Sequence, residues 1–532
     1  ATACPMNVLK LEFESWLAAT LLPRKVFEEP SSLLDKLNLV LASRTNFTEV
    51  VPFAANPKVS PPPTPIVCLK GELLFIATSI PLPPLSLNSA TLALAGYEFD
   101  DNGCTITNSG TFQINGDETF TSGSLSIPGN TKIVDGSGAT LSTGLSGLVN
   151  VEFNSSGQTF TLSENMNFIT GNVTIASGTT LDVSGSNYGI TADNLTINGT
   201  FTPQSGTLTL DGGTISGSAT NAFNNVELNG SVNFGTSSTV NGSLTINSGA
   251  SVNTNAPKYG GSSTLIYKTG GNYGRSTEWS STTAGQAGYP QNVQISSDGG
   301  SHTSLDLGNA APGVARKIAG NLTIDANNGL YMDYSSNDMT QSLTVEGNVL
   351  INGTLSLSES SGGDLDIKGN FEVGGSGNFE HRNRSVTFSG TLAQTITGTP
   401  TFAYLTINNS NGSDKVTPGS AITVSNLLTV TDGIFVSAAS DFAGVTIGAN
   451  GTLELNGNIT VSGDWSDGGA FTPGTNTVTF DGSGAQSITS GGSVFYNLTN
   501  SNTSNNVSIT DKLEINSSGT LTIDGSATLA LA

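Results

Sequence analysis

From Asn88 onward almost every stretch of this chain is an apolar–polar–apolar triplet or quintet bounded by Gly, Asn, Ser or Asp. Examples are Leu244-Thr-Ile246, Leu322-Thr-Ile324, Leu343-Thr-Val345, Leu355-Ser-Leu357, Leu365-Asp-Ile367 and Leu453-Glu-Leu455. Alternation with period two places the apolar side chains on one face of a short strand. The Asn-Gly and Gly-Asn punctuation suits sharp turns that need positive φ. Helix signals are nearly absent. So many short strands with so few large residues cannot fill one thick core, but they can fill a thin core repeated along an axis. The expected fold is all-β, a parallel β-helix or β-solenoid with a distinct, non-repetitive N-terminal segment. At 20–25 residues per coil, residues 89–532 would form roughly 18 to 22 coils.

The 532 residues include 65 glycines, and only 11% are charged, with 41 acidic side chains against 18 basic ones. A net charge of -23 repels phosphate backbones and argues against a nucleic-acid partner. No apolar run reaches the roughly 18 residues of a membrane span; the best, Leu73 to Leu87, is broken by Pro81, Pro83 and Pro84. Cys4, Cys68 and Cys104 allow at most one internal disulfide, so bridges do not hold the fold. Residues 1–88 differ in kind, holding a single glycine, Gly71. Val8–Leu22 and Ser31–Ala42 read as short helices, Pro57–Pro65 as an extended linker, and Ile66–Ile80 as one or two strands. This segment reads as a separate module, an arm or a misassigned stretch of sequence. Lys10, Glu12 and Glu14 interrupt any apolar leader there, which fits an export signal already removed or a start inside a longer product.

The repetitive region contains longer repeats. Ser385-Val-Thr-Phe-Ser-Gly-Thr-Leu-Ala-Gln-Thr-Ile-Thr-Gly398 aligns without gaps to the stretch beginning Thr477-Val-Thr-Phe-Asp-Gly-Ser-Gly-Ala-Gln-Ser-Ile-Thr489, and a degenerate copy surrounds Leu208-Thr-Leu210. The unit is expected to span several coils, about 90 residues. Ser-Ala-Thr-Leu-Ala-Leu-Ala occurs at both 89–95 and 526–532. The end of one chain thus matches the start of the next, and head-to-tail stacking into a homopolymer is expected. The phrases Phe471-Thr-Pro-Gly-Thr-Asn-Thr-Val-Thr-Phe480 and Gly270-Gly-Asn-Tyr-Gly-Arg-Ser-Thr-Glu-Trp279, with the recurrent Gly-Asn-Leu-Thr-Ile, resemble large secreted repeat proteins of bacteria, especially Bacteroidota. The resemblance covers most of 89–532 and implies a β-solenoid surface protein of adhesin or fibre type, extracellular or at the cell surface. It brings no catalytic residues with it.

Candidate chemistry is sparse. His302 and His381 make no metal-ligand spacing, and thiol, zinc, phosphate-loop and nucleophile-elbow motifs are missing. A polysaccharide lyase or hydrolase on a β-helix would need converging carboxylates with a basic residue. The nearest approach is Asp364 and Asp366, flanking Leu365, together with Glu380, Arg382 and Arg384 beside His381. Paired charges on solvent-side strand positions are the stronger reading. Glu98-x-Asp100-x-Asn102-Gly103 resembles half a calcium loop, but Ser109 stands where a bidentate carboxylate belongs. A turn is favoured there over weak calcium binding, and no other cofactor is expected. Tyr259, Tyr267, Tyr273, Trp279 and Tyr289 make 259–289 aromatic-rich. It is the place to seek a surface for glycans, but an insertion whose aromatics pack on the solenoid flank is the favoured reading. Asn-x-Ser/Thr sequons such as Asn172, Asn194, Asn321, Asn352 and Asn458 are no more numerous than the composition predicts. The expectation is therefore a non-enzymatic structural protein of a filament or adhesive fibre. A β-helix polysaccharide enzyme and a phage tail fibre are the rivals.

Overall fold

The computed structural model describes residues 148–166 and 170–531, apart from 411 and 412, and short strand segments between 49 and 146. The helices expected before residue 49, the proline run and the loop at 98–103 lie outside the described residues. Among these residues the structure is all β save for one 3-10 turn, Thr277–Trp279. It is a parallel β-solenoid of about 18 turns, beginning near residue 111. Within the expected strand region Ile66–Ile80, Ile66–Leu69 and Glu72–Leu74 pair antiparallel, and Glu49–Val51 joins them. The chain divides into two compact units, 1–222 and 223–532.

In the first unit each coil has strands on up to three sides. Val151, Val173 and Leu195 stack in register on one side, Phe160, Leu181 and Phe201 on the second, and Ile190 and Leu208 on the third. Alternation makes these files the wall of the core, and nearly all of their members are buried. Each buried Val, Leu or Phe removes apolar surface worth about 1.5–3 kcal/mol from water.

The second unit carries longer files. One runs Val226, Leu244 and Leu265 on one stretch and Val293, Leu322, Val349 and Phe371 on the next. Another runs Leu343, Leu365, Val386, Leu405, Leu428, Val445, Trp465 and Ile488. A third, Tyr273, Leu305, Leu330, Leu355 and Phe379, belongs to a five-stranded sheet. Leu343, Val345, Leu355, Leu357, Leu365 and Ile367 all point inward and are fully buried, as the alternation requires.

Asparagine at the strand entrance welds coil to coil. The Asn150 side-chain carbonyl accepts the backbone N–H of Asn172, 22 residues on, at 3.0 Å. In the second unit the same bond passes from Asn292 to Asn321 (2.9 Å), Asn348 (2.8 Å), Asn370 (2.8 Å) and Thr395 (2.9 Å). A turn N–H that would otherwise lack a partner is met by a side chain of the coil before it. Asn172, Asn194 and Asn321, which head sequons, belong to these chains of contacts.

The aligned repeats occupy different sides of the coil. Val386 lies on the file that continues to Trp465 and Ile488, whereas Val478 stacks between Ile459 and Leu498 on another side. The repeat therefore does not span a whole number of coils. What recurs is a corner. Gln394 is buried, with its amide donating to the carbonyls of Ile367 (3.1 Å) and Gly369 (2.7 Å), and its own carbonyl accepts Gly390 N–H at 3.2 Å. Gln486 does the same with Val461 and Gly463 (both 2.9 Å) and Gly482 (3.1 Å).

Candidate functional site

The coil that begins at Thr264 is long: Asn292 reaches Ser263 across 29 residues, as Asn321 reaches Asn292 in the next coil, against 22 between Asn150 and Asn172. The surplus folds inward. In Thr264–Lys268, alternation places Leu265 and Tyr267 in the core. After Asn272–Gly274 the chain turns through Arg275 into Thr277–Trp279, and Trp279 is fully buried with its indole N–H donating to the Lys317 carbonyl at 3.0 Å. The Ser276 and Thr277 hydroxyls both donate to the Val252 carbonyl, at 2.8 and 3.0 Å. The turn thus covers the strand Ser251–Val252, and the five-stranded sheet starts beside it.

The aromatics at 259–289 pack against the solenoid, the favoured reading, and go further, into its core. Tyr267 and Trp279 are fully buried and Tyr289 nearly so, because an extra loop beside a narrow core is held best by filling it with large side chains. The aromatics surround a carboxyl group. Glu278 is fully buried, and its Oε1 accepts Tyr267 O–H at 3.1 Å and Ser276 N–H at 2.9 Å. Tyr259 O–H donates to the Glu278 backbone carbonyl at 2.9 Å. Burial holds the Glu278 carboxyl above its ordinary range, opposed by those hydrogen bonds and by the charge of Arg275. Arg275 directs its guanidinium instead to the carbonyls of Leu307 (3.1 Å), Ser276 (2.6 Å), Trp279 (3.2 Å) and Asn309 (2.6 Å). Burial pulls the guanidinium of Arg316 down to about 10, with the neighbouring charge of Arg275 acting in the same direction.

A second cluster lies on the outer side of the five-stranded sheet. Arg382 contacts Asp333 at 2.8 Å, Glu380 at 2.6 Å and Glu359 at 3.6 Å, and its Nε also donates to Ser356 Oγ at 3.0 Å. Ser356 Oγ in turn donates to Asp333 at 2.9 Å and lies 3.3 Å from Glu380. The Asp333 side chain is only 6% exposed, so Arg382 is the counter-charge of a nearly buried carboxylate. Of the residues singled out from sequence, only Glu380 and Arg382 meet here. Their strand stops at Glu380, and Arg382 and Asn383 adopt left-handed backbone (φ 46° and 59°), so Arg384 does not share their face and donates to the Arg382 carbonyl instead. His381 Nδ1 accepts Asn383 N–H at 3.0 Å within the same turn. Asp364 and Asp366 take structural partners one coil on, Ser385 N–H and Ser389 O–H. His302 lies apart, 3.3 Å from Ser297 Oγ. Asp333 and Glu359, which complete the cluster, sit in irregular connections where alternation gives no signal.

Elsewhere, Glu346 bridges Lys317 (2.5 Å) and Lys368 (3.0 Å). Burial alone would raise its carboxyl, and the two ammonium groups hold it below the ordinary range. Among the described residues no group of three or more His, Cys, Asp or Glu side chains converges as a metal ion would require, and no helix is long and apolar enough to cross a membrane.

The fold and these clusters define a parallel β-solenoid repeat protein. Compared with known proteins, the chain matches no family model, no curated protein and no solved structure.

Proposed function

We propose that the chain is a structural protein of the cell exterior, a solenoid element of a surface filament or adhesive fibre. The observation that carries this reading is the continuity of side-chain contacts along the coils, from Asn292 through Asn321 and Asn348 to Asn370. Side chains spent on joining each coil to the next stiffen a chain along its axis. They are of little use to a catalyst, which needs polar groups free to meet a substrate. The charged cluster supports the same reading, since the Arg382 guanidinium is taken up by Asp333, Glu380 and Glu359. The resemblance to secreted bacterial repeat proteins agrees with this role and with display at the surface.

The purified chain should form rods or filaments by electron microscopy, and deleting residues 1–88 should abolish end-to-end association if that segment is an arm. Particles that stay compact and monomeric before and after the deletion would refute the filament. The rival reading, a polysaccharide lyase or hydrolase, would have to draw on the Arg382 cluster. A screen of acidic and neutral polysaccharides should yield no new reducing ends or unsaturated products. Activity that vanishes in Arg382→Ala or Asp366→Ala would overturn the structural reading, and a stable trimer in solution would favour a phage fibre.

A further inference from the structure

The enlarged coil encloses a carboxyl group without a counter-ion. Among the described residues no Lys, Arg or His nitrogen makes an ion pair with Glu278. Arg275 points its donors at backbone carbonyls, and Arg316 donates through Nη2 to the Ala311 carbonyl while its buried Nε has no partner. Glu278 Oε2 and the Tyr273 hydroxyl are buried and make no hydrogen bond of good geometry, as is true of Asp306 Oδ1 and Arg316 Nε, although the Tyr273 hydroxyl lies within hydrogen-bonding reach of the Glu278 carboxyl. A carboxylate buried this deeply without a paired charge is strongly disfavoured, whereas a carboxylic acid has one O–H to donate and requires one acceptor. Oε1 already accepts two bonds, so the proton belongs on Oε2, the oxygen left without a partner.

We propose that Glu278 is an uncharged acid in the folded chain, its Oε2–H directed at the Tyr273 hydroxyl, and that the enlarged coil is a proton-dependent latch. Closed, it seats Trp279 under the Lys317 carbonyl and holds Ser276 and Thr277 over the Val252 carbonyl. Ionisation places a negative charge among Tyr259, Tyr267 and Tyr273, with Arg275 and Arg316 the cations able to face it and Asp306 the other buried carboxyl close to Arg275. Meeting that charge would draw Arg275 from its four carbonyl contacts and release the turn from Val252, freeing the edge of Ser251–Val252 for other pairing.

The sign follows from linkage. Burial raises the folded-state pKa of Glu278 above its unfolded value, so its contribution is complete below the ordinary glutamate range and is lost as pH rises through the raised value. The test is amide hydrogen exchange of 264–318 across about pH 5 to pH 8, with the intrinsic pH dependence of exchange divided out, on the whole chain and on Glu278→Gln. Protection should fall by about tenfold per pH unit through the titration in the wild type and stay level in E278Q. Equal pH dependence in both, or none in the wild type, overturns the proposal. If E278Q fails to fold, the infrared C=O stretch of a protonated carboxylic acid decides on the native chain. The band should persist above the range where exposed glutamates ionise and survive Asp306→Asn; its absence, or its disappearance in D306N, refutes the latch.

Discussion

Gln394 and Asn409, 15 residues apart in sequence, meet inside the second unit, where the asparagine amide lies 3.3 Å from the glutamine carbonyl. Asn409 also donates to the Leu392 carbonyl at 2.7 Å, and thereby ties the Gln394 corner to the end of the following strand. Asn502 repeats both contacts in the later copy, with Gln486 at 3.0 Å and the Gly484 carbonyl at 2.7 Å. One glutamine thus serves two carbonyls of the preceding coil, a glycine N–H of its own corner and an amide from the coil after.

Gln394→Ala or Gln486→Ala would strip the Gly369 or Gly463 carbonyl and the Gly390 or Gly482 N–H of their glutamine partner in a buried corner, while the Ile367 and Val461 carbonyls keep the N–H groups of Ser389 and Asp481. Each variant should lose about 2–4 kcal/mol of stability. Denaturant unfolding of the two checks this, with the second copy serving as an internal replicate. Loss at one copy only would contradict the equivalence of the corners.

The corner also fixes its glycine. A Cβ at Gly390 would lie 2.5 Å from the Lys368 carbonyl and 2.9 Å from Gln394 Cδ, and at Gly482 it would lie 2.1 Å from the Ser462 carbonyl. Gly482→Ala should therefore destabilise by about 1–3 kcal/mol through overpacking. Thermal melts would expose the opposite result, a gain from reduced chain entropy.

Leu355 faces the core and is fully buried, so Leu355→Asp should cost several kcal/mol, about 4 or more. Thr406, on the outer side of its strand, should accept Asn with a change under about 0.5 kcal/mol. Melting temperatures that fail to separate the two variants would sink the inward–outward assignment.

The inward files were legible because alternation binds each apolar residue to its neighbours two positions away: Leu343 with Val345, and Leu365 with Ile367. The same rule places Tyr267 beside Leu265 on the inner face, in keeping with packed aromatics rather than a surface for glycans. The coil had simply grown wide enough to take them in. Gln394 also obeyed the alternation, sharing a face with Ile396. A polar residue in an inward slot has meaning only once the carbonyls it must meet are placed, and those belong to residues more than 20 positions earlier. Asp333 and Glu359 left no periodic trace at all. Arg384 was misread because the strand was extended past Glu380 into a left-handed turn.

Arg382 neutralises Asp333, which is almost buried. Arg382→Met should cost about 2–4 kcal/mol by stranding that carboxylate, and Asp333→Asn in the same chain should return part of the loss. A double-mutant cycle measures the coupling. Strict additivity would mean that the pair contributes nothing as a pair.

The displacement of Val478 from the file that holds Val386 bears on how this surface is read by others. Copies related by sequence usually form a stripe that one partner engages several times from one direction, multiplying its hold. Here the two best copies look out from different sides of the coil. A rigid partner docked on one has the other turned away from it, so the repetition offers separate neighbours a foothold each rather than offering one neighbour two.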